Sequence, residues 1–497
     1  MKIVDSVTPI DQRYIQYKNI GKAYDLSRMQ VYRLIQRMKR TAKYKKSFVD
    51  IGPKCKSFYD GKKFLHNKMG DYLIKKYHLK RIINENLLDG APPDDVDIYF
   101  YNPKNNNYEP FSKSECNRLI ILEDKELKTN ARKEVWEYIK SIISDCYITD
   151  PHIVGCLNCL LNIRTGEVLQ KTPGTILRNY IPVKYDSKAL ENDVLDTFMK
   201  NLFGDNKEMH TFIYQIIAYG LWPDNHLQKF FILFGEGGNG KSTFLSLLKL
   251  FYGRKNISVL GLVKFGDDKY IGSLYGKMVN LGDDIEASAL LESAILKKVV
   301  SGEPVHANPK FGLMFAFVVT QKLLFSANSV PRITDTSQGM ADRLIVIPFT
   351  QRIRGTATAV PNIVQEIVKS GGLSVLLNRV LKEAPNIING IHIPQLIQAA
   401  TQKHMTDTNP VALFVSEMNE NGWRIDTGSN FEWLAAIKTI SDLTTVQVYN
   451  LYKEWCKENG YKPLANNTFG RELYRLGYES IQIGAGVLRG KRSYQKK

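Results

Sequence analysis

The chain has 497 residues, of which 43% are hydrophobic and 24% are charged, so it is long enough for several separate hydrophobic cores. No apolar run approaches the ~20 residues of a membrane span, and the amino-terminal residues lack the apolar core of a secretory signal. We therefore expect a cytoplasmic protein without a membrane partner.

Positive charge is concentrated at the two ends of the chain. Residues 1–70 carry 17 Lys or Arg and 5 Asp or Glu, and residues 451–497 carry 10 and 4. Because the whole chain has a net charge of +18, the sequence between these ends is neutral. Concentrated basic residues are typical of a protein that binds a polyanion, most often nucleic acid, although a solvated basic tail has the same composition.

The first predicted elements are two short helices within residues 1–70. Residues 20–24 predict the first helix, and Ser27 is a suitable N-cap for the second, which has an apolar face. This pattern resembles the small winged-helix modules of excisionase-like proteins and predicts a basic DNA-binding module. A helix pair that only packs on the rest of the chain is the alternative. The candidate DNA contacts are Arg28, Arg33 and Arg37.

Residues 71–187 predict a mixed α+β region. Strands are expected near residues 95–101, 147–150 and 160–170. Asp95 and Asp97 alternate like the metal-binding carboxylates of a primase, but no basic or histidine cluster accompanies them, so a solvated hairpin is preferred. The C-x-x-C at residues 156–159 has no second pair, and we expect buried thiols instead of a zinc site. Two helices are predicted within residues 188–225.

A phosphate-binding loop is the strongest local signal in the sequence. An apolar strand at residues 230–234 leads into G-x-x-x-x-G-K-S, and an amphipathic helix follows. Glycines allow the backbone amides to face phosphates, Lys241 should bridge the β- and γ-phosphates of ATP, and Ser242 should ligate Mg²⁺. A simple glycine turn is the alternative. The candidate ATP-binding residues are Gly235, Glu236, Gly237, Gly238, Asn239, Gly240, Lys241, Ser242 and Thr243.

Two further predicted strands end in polar residues. A strand at residues 278–282 delivers Asp283 and Asp284 to the sheet edge where open α/β sheets bind ligands. We expect Asp283 to hold hydrated Mg²⁺ and Asp284 to activate water, with the roles interchangeable. Asn328 ends another strand and is expected to orient the attacking water or contact the γ-phosphate. A solvated acidic turn and a turn-forming asparagine are the alternatives.

These motifs occur in a familiar order. The Gly235–Ser242 loop, the Asp283–Asp284 strand and residues 296–311 and 323–349 resemble the successive motifs of superfamily 3 helicases, especially phage and plasmid primase-helicases and their poxvirus relatives. The resemblance covers about residues 70–497. It implies an α/β fold with an AAA+ P-loop ATPase core and parallel sheet, a helical collar ahead of it, and winged-helix modules at both ends.

The resemblance also implies domain boundaries. The expected domains are a winged-helix-like module at 1–70, an accessory domain at 71–187, a collar or oligomerisation segment at 188–225, the superfamily 3 AAA+ ATPase at 226–390, a helical linker at 391–443, and a C-terminal winged-helix module at 444–497.

Further site residues follow from the same resemblance. Arg343 is expected to act as an arginine finger in the ATP site of the next subunit of a hexamer. Asp342 departs from the family, since many relatives have a second arginine there. A surface ion pair is the alternative for Arg343. The expected DNA contacts are Lys310, His306 and Phe311 on a pore hairpin, and Arg471, Arg475, Arg489, Lys491 and Arg492 in the C-terminal module. A solvated loop lysine and a basic tail are the respective alternatives.

The sequence therefore predicts a ring-forming, ATP- and Mg²⁺-dependent replicative DNA helicase of a phage or other mobile element, working in the bacterial cytoplasm. Its expected partners are single- and double-stranded DNA, copies of itself, and a separate primase or other replication proteins. The basic ends suggest origin binding. The alternatives are a primase-helicase with its own priming site and a DNA-binding ATPase regulator without unwinding activity.

Overall fold

The computed structural model describes residues 58–90, 98–177, 179–285, 293–310, 312–328, 338–356, 358–407, 409–421, 439–461, 463–484 and 490–496. Side chains at positions 283–285, 293, 338 and 421 are not described.

The described strands are β1 (Tyr59–Asp60), β2 (Lys63–Phe64), β3 (Lys80–Ile82), β4 (Leu87–Asp89), β5 (Ile98–Asn102), β6 (Asn107–Pro110), β7 (Asp145–Cys146), β8 (Ile153–Gly155), β9 (Leu160–Asn162), β10 (Val168–Leu169), β11 (Phe230–Phe234), β12 (Ile257–Ser258), β13 (Val279–Ile285), β14 (Pro304–Ala307), β15 (Phe315–Val318), β16 (Lys322–Ala327), β17 (Leu344–Pro348), β18 (Tyr478–Gln482) and β19 (Arg492–Lys496).

The described α-helices are α1 (His66–Lys76), α2 (Lys113–Glu123), α3 (Thr129–Ile142), α4 (Asp193–Phe203), α5 (Lys207–Leu221), α6 (Lys241–Tyr252), α7 (Asp268–Ile271), α8 (Ser293–Val300), α9 (Gln338–Ala341), α10 (Ile363–Lys369), α11 (Gly372–Glu383), α12 (Gln395–Asp407), α13 (Pro410–Asn421), α14 (Thr445–Glu458) and α15 (Asn466–Arg475). Every described helix is too short or too polar to cross a bilayer.

The chain divides into two compact units, and the first comprises the described parts of residues 1–85, 94–155 and 169–179. Its four-stranded sheet has the order β6-β5-β3-β7. Helices α1, α2 and α3 supply a separate apolar core that includes Met69, Leu119 and Ile139. The strand predicted near residues 147–150 is wrong. Strand β7 ends before them at Cys146, which pairs with Ile82, the last residue of β3.

The second unit comprises residues 86–93, 156–168 and 180–497. Its centre is a five-stranded parallel sheet with the order β12-β13-β16-β11-β17. The strands are nearly continuous apolar runs because the sheet is covered on both faces; Phe230, Leu323 and Leu344 are each at most 2% exposed. Since all five strands run the same way, their carboxyl ends meet at one edge of the sheet.

The helices next to this sheet begin at side-chain caps. The Asn192 side chain accepts a hydrogen bond from Leu195 N at the start of α4, and Asn206 accepts from Glu208 N and Met209 N at the start of α5. Helix α6 begins directly after the glycine-rich loop that follows β11. The helices predicted at residues 188–225 are therefore confirmed.

A second, antiparallel sheet is formed by the hairpin β14-β15 and by β4. Residues 304–307 pair with residues 315–318, which confirms the predicted hairpin. The third strand was not predicted: Phe317 pairs with Leu87, and Val318 N donates to Asn86 O at 2.7 Å.

The last part of the chain combines α14 and α15 with the hairpin β18-β19. Thr444 and Gln447 form a capping box at the start of α14. Tyr452 of α14 stacks on Phe469 of α15, with ring centroids 4.4 Å apart. Two helices followed by two strands match the order predicted for residues 444–497.

Candidate functional site

The loop between β11 and α6 depends on glycine. Gly237, Gly238 and Gly240 have φ angles of 100°, 71° and 84°, in the region that side chains rarely adopt. A Cβ on Gly240 would also lie 2.5 Å from Leu202 Cδ2. The backbone conformation therefore favours glycine at all three positions, and close packing also requires it at Gly240.

Lys241 is buried at the base of this loop, with 5% of its surface exposed. Its Nζ donates to Gly235 O at 2.6 Å and to Asn239 Oδ1 at 3.2 Å. The ammonium group is thus held against the loop by polar acceptors, in the position where a P-loop lysine meets phosphates.

The segment after β17 braces the same loop. Asn239 Nδ2 donates to Phe349 O at 2.7 Å, while its Oδ1 accepts from Gly237 N at 3.0 Å. Ile353 N and Arg354 N both donate to Gly238 O at 2.9 Å. The loop conformation is therefore fixed from outside by residues more than a hundred positions away.

A cavity of about 460 Å³ opens beside the loop, and Gly237 to Thr243 line it together with Asn328. The sequence predicted none of its other lining residues, which are Phe198, Asn201, Ile353, Arg354, Thr358, Ala359, Val360 and Ile363. Gly235 and Glu236, predicted as ATP-binding residues, instead line a neighbouring cavity of about 650 Å³ that shares Gly237, Gly238 and Asn239 with the first.

The strands that carry Asp283, Asp284 and Asn328 end at the same sheet edge. Ala327, at the end of β16, pairs with Phe234 of β11 and with Ile285 of β13. Asn328 comes directly after this position and lines the cavity. Asp283 and Asp284 lie in β13 where its pairing with β16 shifts register, between Gly282 and Ile285. Their side chains are not among those that the structure describes.

Arg343 lies at the opposite edge of the sheet, immediately before β17. Its guanidinium donates to Ser301 Oγ from Nε at 3.2 Å and from Nη2 at 2.9 Å. Nη1 donates to Gly339 O at 2.6 Å, and Nη2 also donates to Gln228 Oε1 at 3.1 Å. Arg343 is absent from the residues that line the cavity, and the guanidinium is bound within its own chain.

The predicted DNA-contact residues are scattered. His306 and Lys310 are exposed on the β14-β15 hairpin, whereas Phe311 lies outside the described residues. Arg475 binds Glu472 at 2.6 Å, and Arg492 Nε donates to Ser480 Oγ at 2.9 Å. Arg471 and Lys491 are exposed. The predictions for Arg28, Arg33, Arg37, Arg489, Asp95 and Asp97 lie outside the described residues.

The chain matches three protein families in succession. Residues 15–213 match the D5 N terminal like family, residues 233–343 match a family of unknown function, and residues 406–481 match the Poxvirus D5 protein-like family. The two D5 models support the predicted resemblance to D5-type primase-helicases. The predicted resemblance to the poxvirus relatives of these helicases is therefore confirmed.

One relative of this chain is a protein of Acanthamoeba polyphaga mimivirus described as a "Putative helicase". It is 24% identical over 213 residues, which is 40% of this chain and 22% of that protein. The chain thus matches only about a fifth of the relative's length.

Similar solved structures include two apo structures of the NrS-1 C-terminal region. The first has a TM-score of 0.47 at 13% identity and covers 86% of this chain and 98% of the other. The second has a TM-score of 0.45 at 13% identity and covers 87% and 99%.

Proposed function

We propose that this D5-type protein is an ATP-dependent DNA helicase of the AAA+ superfamily 3 class. The observation that carries the proposal is the braced glycine loop, with buried Lys241 at its base, beside a cavity that Asn328 also lines. The Asp283–Asp284 strand ends at the same edge. Lys241 and Asn328, together with the two aspartates that β13 carries, would supply the cation, the amide and the carboxylates that a nucleoside triphosphate and its metal require.

The described residues fit Mg²⁺-ATP. The loop supplies backbone amides to phosphate oxygens, and Lys241 would exchange its two loop acceptors for the β- and γ-phosphates. Ser242 would contribute its hydroxyl to Mg²⁺, with Asp283 or Asp284 as the carboxylate. Bound Mg²⁺ would neutralise charge that develops on the phosphates during hydrolysis.

The position of Arg343 supports a ring. It precedes β17, whereas the glycine loop follows the carboxyl end of the adjacent parallel strand β11, so the two lie at opposite sheet edges. An arginine so placed serves the nucleotide of a neighbouring copy, and the family suggests six copies. To act there, it must release Ser301, Gln228 and Gly339.

DNA binding is assigned to the exposed hairpin residues His306 and Lys310 and to the basic C-terminal module. We propose that this module, with Arg471 and Lys491 exposed, is a winged helix. The domain boundaries, origin binding and recruitment of a separate primase stay predictions. A replication role on a phage or other mobile element fits this assignment.

Unwinding of forked DNA at fixed salt concentration tests the proposal, with Lys241→Ala as the comparison. The unchanged chain should separate strands only with Mg²⁺-ATP, and the variant should lose ~10²- to 10³-fold in ATP turnover and all detectable unwinding. ATP turnover and DNA binding without strand separation would instead identify a DNA-binding ATPase regulator.

A further inference from the structure

The segment that follows β17 brings two arginines to the glycine loop, and they occupy different surroundings. Arg354 lines both the 460 Å³ cavity and its neighbour, whereas Arg352 lines only the neighbouring cavity. Both side chains are exposed. Only Arg354 therefore borders the space where the proposed nucleotide lies.

The path of the Arg354 side chain is fixed by the loop. Its backbone N donates to Gly238 O at 2.9 Å. A Cβ placed on Gly238 would lie 3.1 Å from Arg354 Cβ and 3.9 Å from Arg354 Cδ, so the aliphatic part of the arginine runs past this glycine. Gly238 is one of the loop residues whose amides are available to phosphates.

No group among the described residues accepts a hydrogen bond or an ion pair from the Arg354 guanidinium. Arg343, at the other end of β17, differs, because its guanidinium makes four hydrogen bonds within the chain. A guanidinium at the wall of the proposed phosphate-binding cavity, with its N–H donors available, is suited to bind phosphate oxygens in a forked geometry.

We propose that Arg354 binds the phosphate chain of the nucleotide held by its own subunit. The proposal rests on the proposed ATP-binding function and adds to it a second phosphate-binding cation besides Lys241. Arg354 would bind the nucleotide of its own chain, whereas Arg343 would contact the nucleotide of a neighbouring chain. The ligand class is a nucleoside triphosphate, recognised here through its phosphates and not through its base.

Equilibrium binding of Mg²⁺-ATP to the purified full chain tests this assignment. Arg354→Ala should weaken affinity ~10- to 100-fold, as expected for loss of charged hydrogen bonds. Arg354→Lys keeps the positive charge but lacks the forked donors of a guanidinium, so its ATP affinity should lie between those of the unchanged chain and Arg354→Ala. Arg352→Ala is the matched control, since it removes another exposed arginine two residues away that does not line the 460 Å³ cavity, and it should change affinity less than ~3-fold.

Competition by inorganic tripolyphosphate separates a phosphate contact from a base contact. Arg354→Ala should raise the inhibition constant of tripolyphosphate by about the same factor as it weakens ATP binding. An unchanged inhibition constant would overturn the phosphate assignment, as would equal effects of Arg354→Ala and Arg352→Ala. Lys241→Ala tests the proposed function separately from the Arg354 assignment. If this variant binds ATP with normal affinity, the proposed ATP-binding function is wrong.

Discussion

The two edges of the parallel sheet satisfy their charged groups in different ways. At the carboxyl edge, Lys241 donates to two acceptors of its own loop, Gly235 O and Asn239 Oδ1, beside an open cavity. At the amino edge, Arg343 and Lys322 donate to groups on several other elements; Lys322 Nζ binds Trp222 O at 2.5 Å and Thr320 O at 2.8 Å. The carboxyl edge therefore places a buried cation beside a cavity, as the proposed nucleotide site requires, while the amino edge ties its cations to its own chain.

The largest effect should come from Arg343→Ala. If this arginine completes a neighbour's site, its loss should lower ATP turnover by ~10³- to 10⁵-fold. Steady-state ATP hydrolysis measured over a range of protein concentrations checks this expectation.

Mixing variants provides the control. Arg343→Ala and Lys241→Ala subunits each lack a different part of the site, so a mixed assembly should contain some complete sites and regain activity. Two inactive variants that stay inactive when mixed would contradict a site shared between chains.

Asn239→Asp tests whether the Asn239 side chain supports ATP binding at the carboxyl edge. An aspartate keeps the acceptors for Gly237 N and Lys241 Nζ, but it cannot donate to Phe349 O, and it places negative charge beside the phosphates. We expect ATP affinity to fall ~10- to 100-fold by isothermal titration.

Asn378→Asp is the matched substitution for this test. It also removes side-chain donors, here to Asp186 O and Ala189 O, but Asn378 does not line the cavity. Its ATP affinity should be unchanged, and equal losses in both variants would contradict a specific role for Asn239.

Gly240→Ala tests whether the loop stores conformational strain. Its φ of 84° and the close Leu202 side chain should together lower the free energy of unfolding by ~1 to 3 kcal/mol. Gly276→Ala is the control, because φ there is 70° but no atom lies within 4 Å of the added Cβ. In urea unfolding, Gly240→Ala should be the more destabilised variant.

The smallest expected effect concerns Lys322. Burial lowers its pKa to about 7, despite the nearby Asp224 carboxylate. The unfolded chain keeps this proton to a higher pH, so stability should rise as pH increases above 7, by about 1 kcal/mol between pH 7 and pH 8. Lys322→Met should lack this rise when urea midpoints are compared at the two pH values; an identical rise in both proteins would exclude Lys322 as its source.

Sequence patterns sufficed for the parts of the site that are local. A strand, a glycine loop and a helix follow one another within residues 230–252, so β11 and α6 were predicted together with Lys241. The strands that end near Asp283 and Asn328 were also recognisable, because each is a short apolar run before a polar residue.

Contacts between distant segments were not predictable in this way. Arg354 lies in an exposed stretch without periodicity, and its place beside the cavity depends on the hydrogen bond between its backbone and Gly238. Phe198 and Asn201 belong to a helix that was predicted, but nothing local indicates which of its residues face the cavity. Strand β4 has three residues and pairs with a strand more than two hundred positions away.

Strand β17 has a consequence for communication within an assembly. Arg343 precedes it, Phe349 follows it, and every residue between them pairs with β11. A paired, buried strand resists stretching, so in the proposed ring a displacement of Arg343 by a neighbouring subunit would be transmitted to Phe349 and, through the Asn239–Phe349 hydrogen bond, to the glycine loop. Nucleotide sites coupled in this manner would hydrolyse ATP one after another around the ring, and not independently.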